Sequence, residues 1–67
     1  MTYTLTLQPN EGSSFEEADR AYEICNEPMT LDEALAASRD LRMHGKLTDE
    51  AGFVVGWIHP DGTWRLK

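Results

Sequence analysis

Very little in this chain advertises a specialised chemistry. Among its 67 residues there is one cysteine, Cys25, and only three prolines. A single cysteine excludes an internal disulfide, and a small domain without such staples fits a reducing, cytoplasmic setting. No apolar run approaches the roughly 20 residues that span a bilayer. The opening MTYTLTLQ alternates and carries no base, so no secretory leader is expected. Bases are scarce: six Lys and Arg stand against twelve Asp and Glu, for a net charge of −6. That balance argues against direct binding to nucleic acid or to an anionic membrane, both of which select clustered Lys and Arg. It favours a basic partner, or simple solubility.

Catalytic and metal-binding signatures are missing as well. His44, His59 and Cys25 fall into no paired spacing such as CxxC or HxxxH, so no metal and no cofactor are expected. There is no GxSxG and no glycine-rich phosphate loop; GFVVG reads as a strand. Adjacent acids such as Glu16 and Glu17 do acid–base work only in a cleft that drives two carboxylates apart in pKa. A chain this short rarely builds one, and the expectation is a protein that is not an enzyme.

What the sequence does contain is a pattern for one α+β domain, residues 1–67. A chain of this size buries only about 60% of the surface it exposes when unfolded. Residues 2–8, TYTLTLQ, alternate with Tyr3, Leu5 and Leu7 on one side, as a half-buried strand does. Residues 14–26 carry two readings. Ser14 and Glu17 have capping-box spacing, with Phe15, Ala18, Ala21, Tyr22 and Cys25 on one helical face. The rival is a strand over AYEIC, and the helix is favoured. A main helix is predicted over 31–44, capped by Thr30 with Glu33 and stapled by Met29 with Ala34. Its buried stripe is Leu31, Ala34, Leu35, Ser38 and Leu41; His44 is read as a cation at its C-terminus and Gly45 as its C′ residue. KLTDEAG then reads as a linker.

The last stretch, GFVVGWIHPDGTWRLK, predicts a hairpin with strands near 53–59 and 63–67. Pro60 presets a type I turn and Gly62 supplies the left-handed residue after it. This register opposes Ile58 to Trp64, Trp57 to Arg65 and Gly56 to Leu66. One face then holds Val54, Ile58, Trp64 and Leu66, and the other Phe53, Val55 and Trp57. With the first strand this makes a three-stranded antiparallel sheet. Both hairpin faces are apolar, so a second cover is required: the 14–26 segment, which is favoured, a second subunit or a partner.

The acids are not evenly spread. Residues 11–33 hold eight acids and one base, a balance of −7 against −6 for the whole chain. Asp32 and Glu33 serve the start of the main helix. The remaining six, Glu11, Glu16, Glu17, Asp19, Glu23 and Glu27, are the candidate partner-binding residues. If the helical register runs to Glu27, then Glu16, Asp19, Glu23 and Glu27 form one row with neighbours about 5–6 Å apart. That repeat is similar in scale to the advance of phosphates along a DNA strand, about 3.4 Å along the axis and more along the backbone. The plain alternative is a solvated face that keeps a small domain soluble. Trp57 with Arg65 opposite is a second candidate contact, since both residue types anchor interfaces; the plain alternative there is a cation–π pair closing the hairpin.

A short acidic chain combining YTLTLQ, LDEALAASRDLR and a terminal FVVGWIHPDGTWRLK hairpin resembles the small anti-CRISPR proteins of phages, most closely those acting on type I-C systems. The resemblance covers size, element order and charge. It implies an inhibitor, expected to be monomeric in the host cytoplasm, that binds the crRNA-guided surveillance complex (Cascade). There it would present a DNA-mimicking acidic surface to a basic subunit face that reads the PAM or grips the duplex. A different class shares the same acidic surface: an antitoxin or immunity-like protein masking a basic nucleic-acid-acting enzyme. A third is an assembly module docking through Phe53, Val55 and Trp57.

Overall fold

The computed structural model describes residues 1–67. Its elements run β1 (Tyr3–Gln8), α1 (Phe15–Ile24), β2 (Pro28–Met29), α2 (Leu31–Leu41), β3 (His44–Thr48), β4 (Val54–Ile58) and β5 (Trp64–Leu66). The strands form one antiparallel sheet in the order β2-β1-β3-β4-β5. The α+β class and both helices are as expected; the sheet has five strands rather than three. No helix is long and apolar enough to cross a membrane.

The added strand that matters is β3. By sequence HGKLT is a helix end followed by a linker, yet it lies between β1 and β4 at the centre of the sheet. Leu5 opposes Leu47, Leu7 opposes Gly45, and Gly45 opposes Ile58. Directly opposed residues share a face, so these five side positions converge under the helices. Nine apolar residues make the core: Leu5, Leu7, Ala21, Met29, Ala34, Leu41, Met43, Leu47 and Ile58.

Helix α2 stops at Leu41, three residues earlier than predicted, and Gly45 is not its cap. Arg42 takes the left-handed conformation (φ 54°, ψ 43°). Its N–H donates to the Arg39 carbonyl at 3.2 Å, and the Met43 N–H donates to the Ser38 carbonyl at 3.1 Å. Together these two bonds make a Schellman motif. The buried Ser38 hydroxyl donates in turn to the Met43 carbonyl, and the Asn10 side-chain amide donates to the Arg42 carbonyl. The chain is thereby turned straight into β3. His44 becomes a strand residue and does not serve the helix terminus.

At the far end of β3, Asp49 builds a turn. Its Oδ1 accepts from the N–H groups of Ala51 and Phe53, each at 3.0 Å. The terminal hairpin has the predicted register, with Trp57 opposite Arg65 and the Gly62 N–H donating to the His59 carbonyl at 3.0 Å. One detail differs. A bulge between Leu47 and Thr48 places Val54 opposite Thr48, while Leu47 stays opposite Gly56. Val54 therefore turns to the face of Thr48, and Val55 packs against the core. This is the reverse of strict alternation.

Both helices cover the same sheet face, since Ala21 of α1 and Ala34 and Leu41 of α2 join one core with Leu5 and Leu47. The 14–26 segment therefore does not cover the second face, contrary to the sequence expectation. That face remains open.

Close packing leaves no room for a side chain at Gly56. A Cβ there would meet the Arg65 carbonyl oxygen and a Leu66 methyl, both at 2.8 Å. At Gly45 the tightest contact is a Leu5 methyl, also at 2.8 Å. A methyl at the end of a side chain shifts; a paired carbonyl does not. Gly56→Ala is expected to cost about 1–3 kcal/mol and to loosen β5. Gly45→Ala is expected to cost less. Urea denaturation with amide exchange on β5 distinguishes the two.

Candidate partner-binding site

Ser14 sets where α1 begins. Its hydroxyl accepts from the Glu17 N–H at 3.1 Å, and the Glu17 carboxylate accepts from the Ser14 N–H at 2.9 Å. This closed capping box starts a helix within the 14–26 segment, over Phe15–Ile24, and engages Glu17 in holding its first turn.

The helix rests on Ala18, Ala21, Ile24 and Cys25. The Leu7 N–H donates to the Cys25 sulfur at 3.1 Å, which ties the end of α1 to β1. With 3.6 residues per turn, the direction opposite this stripe passes through Glu16, Asp19 and Glu23. All three are exposed. Their i, i+3, i+7 spacing puts them on one side of the helix, one above another.

The row ends there. The helix stops at Ile24, and Cys25 caps it by donating its N–H to the Ala21 carbonyl at 3.0 Å. Glu27 lies in the bend beyond, so the predicted continuation of the register does not occur. Glu11 sits in the turn before the helix. Of the six acids, three form the row, Glu17 caps, and Glu11 and Glu27 flank the two ends.

Two residues of this surface depart from the sequence expectation. Phe15 and Tyr22, expected in the buried stripe, are 91% and 74% exposed. The small side chains of Ala18 and Ala21 bring α1 close to the sheet, and this rotates the two aromatics onto its flank. They lie seven residues apart, hence about two turns apart, along one side of the acid row. Arg20 stands on the other side, in a shallow depression shared with Glu16, Glu17 and Asp40. The signal was in the sequence: Ala18, Ala21, Ile24 and Cys25 make an equally good helical stripe, and only packing chooses between the two.

Trp57 and Arg65 are not part of this surface. They oppose each other across β4 and β5 on the open face of the sheet. The aromatic contact on that face is His44 against His59, edge to face with centroids 5.6 Å apart. At the hairpin turn, Asp61 is held below the usual aspartate range, chiefly by the Thr63 hydroxyl and N–H that it accepts and further by the nearby His59. No group of three or more His, Cys, Asp and Glu converges as a metal site.

The fold and this surface define a small two-layer α+β protein with an acidic, aromatic-flanked outer helix. No protein-family model, no curated protein and no solved structure matches the chain.

Proposed function

We propose that the chain is a non-enzymatic inhibitor that docks the outer face of α1 on a basic, nucleic-acid-reading protein surface. The observation that carries this reading is the exposed row Glu16, Asp19 and Glu23 with Phe15 and Tyr22 beside it. Phenylalanine is usually buried, and aromatic residues are favoured at interface cores. A carboxylate row supplies electrostatic steering toward Lys and Arg, and a flanking aromatic pair supplies buried contact area. A purely solubilising face needs no exposed Phe15.

The specific target follows from the resemblance to small anti-CRISPR proteins: a crRNA-guided type I complex, type I-C foremost, whose basic PAM- or duplex-binding surface the row would occupy. A CRISPR-targeted phage plated on cells expressing this chain is expected to recover its plating efficiency. The chain should also copurify with the crRNA complex at low salt and be released as salt rises. Absence of rescue across type I hosts would refute the CRISPR assignment, and copurification with a basic toxic enzyme would establish the antitoxin reading in its place.

A further inference from the structure

The strand registers fix what the open face of the sheet presents. Thr6, Lys46, Trp57 and Arg65 stand in one row across β1, β3, β4 and β5. The next row continues from Gln8 through His44 to His59. No strand residue on this face is Asp or Glu, although the chain holds twelve of them. The fold has sorted its charge: the outer face of α1 is acidic, and the strand residues of the open sheet face are cationic, neutral polar or apolar, with one acid, Asp61, in the hairpin turn near His59.

Trp57 lies on β4, one strand in from the β5 edge of that face, and is 42% exposed. Neighbouring strands are spaced about 4.8 Å apart, so Lys46 and Arg65 flank the indole from the two adjacent strands. Beside it is a hollow of about 260 Å³ lined by Gln8, His44, Lys46, Trp57 and His59. A planar aromatic platform with a cation on either side, next to a hollow edged by an amide and two imidazoles, matches how proteins hold unpaired bases. Bases stack on aromatic rings, Lys and Arg meet the backbone, and polar side chains reach base edges.

From this arrangement we infer that the open face of the sheet binds a short segment of single-stranded nucleic acid, one base stacking on Trp57 while Lys46 and Arg65 contact the phosphates on either side. An acidic peptide would satisfy Lys46 and Arg65 but leave the indole and the hollow unused. A flat apolar partner would bury Lys46 without a counter-charge, which is costly. The net charge of −6 is not an objection, because most of the acids lie on other surfaces; it makes binding modest and salt-sensitive. Two phosphate contacts predict a slope of log K against log salt of about −1.4 for a single strand. The inference is independent of the acid row on α1.

The test uses the full chain with Trp64→Phe, which leaves Trp57 as the sole tryptophan reporter. Oligo-rU and oligo-dT of about eight nucleotides, within the site sizes known for small single-strand binders, are titrated at low salt, alongside an oligo-aspartate of equal length. Saturable quenching of Trp57 by either oligonucleotide supports the inference, and the ratio of the two affinities assigns the face to RNA or DNA through the 2′-hydroxyl. With a labelled oligonucleotide, Trp57→Ala is expected to weaken binding about 5- to 150-fold, the value of one stacked base. Lys46→Gln with Arg65→Gln, which leaves Trp57 and the core in place, is expected to flatten the salt slope to near zero. The Glu16→Lys, Asp19→Lys, Glu23→Lys variant should bind the strand at least as tightly as the parent, so that failure of this face and failure of the α1 face read out separately. No saturable binding at low salt overturns the inference. So does oligo-aspartate binding as tightly as the oligonucleotides with no loss in Trp57→Ala, which would make the face a general anion or acidic-protein contact.

Discussion

Glu16→Lys, Asp19→Lys and Glu23→Lys together are expected to abolish inhibition while leaving the domain folded. The three side chains are exposed on the outer face of α1 and away from the core. Lysine is as good a helix former as glutamate, and only Glu16 lies close enough to the helix N-terminus for reversal to cost a few tenths of a kcal/mol. At a basic target the effect is large. Close interfacial charge pairs are worth about 1.5 kcal/mol or more, and like charges brought together cost several. Three reversals therefore predict a loss of at least about 10³-fold in affinity. Reversal also takes the net charge from −6 to about zero, so a control for charge alone is needed. Glu16→Gln, Asp19→Asn, Glu23→Gln leaves −3, and Asp32→Asn, Glu50→Lys, at exposed positions outside the row, also leaves −3. Inhibition should fall in the first and persist in the second. Equal loss in both would mean that net charge acts rather than the row, and full inhibition by the folded lysine triple would remove α1 as the docking face.

Leu47→Ala is expected to bring the domain to the edge of unfolding. Leu47 is fully buried in the central strand, opposite Leu5. A buried Leu→Ala change costs about 2–5 kcal/mol. A domain of 67 residues has roughly 3–10 kcal/mol in all, so one side chain accounts for a large share. Urea melts followed by circular dichroism would show a midpoint near zero denaturant or a chain already unfolded. A cost below about 1 kcal/mol would mean that β3 is not the centre of the sheet. Leu47 lies in a segment that the sequence presents as a linker, so the measurement tests the part of the fold least legible beforehand.

That contrast has a physical basis. Ser14 with Glu17, and Thr30 with Glu33, form capping boxes from groups three residues apart, so their outcome is written locally. The same holds for the His59–Thr63 turn, where Gly62 adopts φ 94° and the register of β4 and β5 follows. β3 has no such local signature. HGKLT contains a glycine, a lysine and only one strong apolar residue, and it is a strand because β1 and β4 both pair with it. Gly45 fits there because the side chains of Leu5, Leu7 and Ile58 fill the space beside it. The end of α2 is likewise set from outside: Arg42 accepts a left-handed conformation that Gly would take more easily, held by Ser38, Met43 and Asn10.

The candidate site divides along the same line. Three acids of the row were legible because helical spacing alone aligns them. Phe15 and Tyr22 were not, because two stripes of α1 are equally apolar on paper and contact with β1 selects one. The sequence by itself determined the α+β class, both helix starts, the terminal hairpin and the concentration of acids in one segment. All of these rest on interactions within a few residues, or on composition. Only the tertiary structure decided where charge sits relative to charge. By inserting β3 between β1 and β4, it sets Lys46 and His44 beside Trp57, Arg65 and His59, on the side of the sheet away from α1. A net charge sums over the whole chain, whereas a partner meets one face at a time, and which residues share a face is settled by strand pairing between positions far apart in sequence.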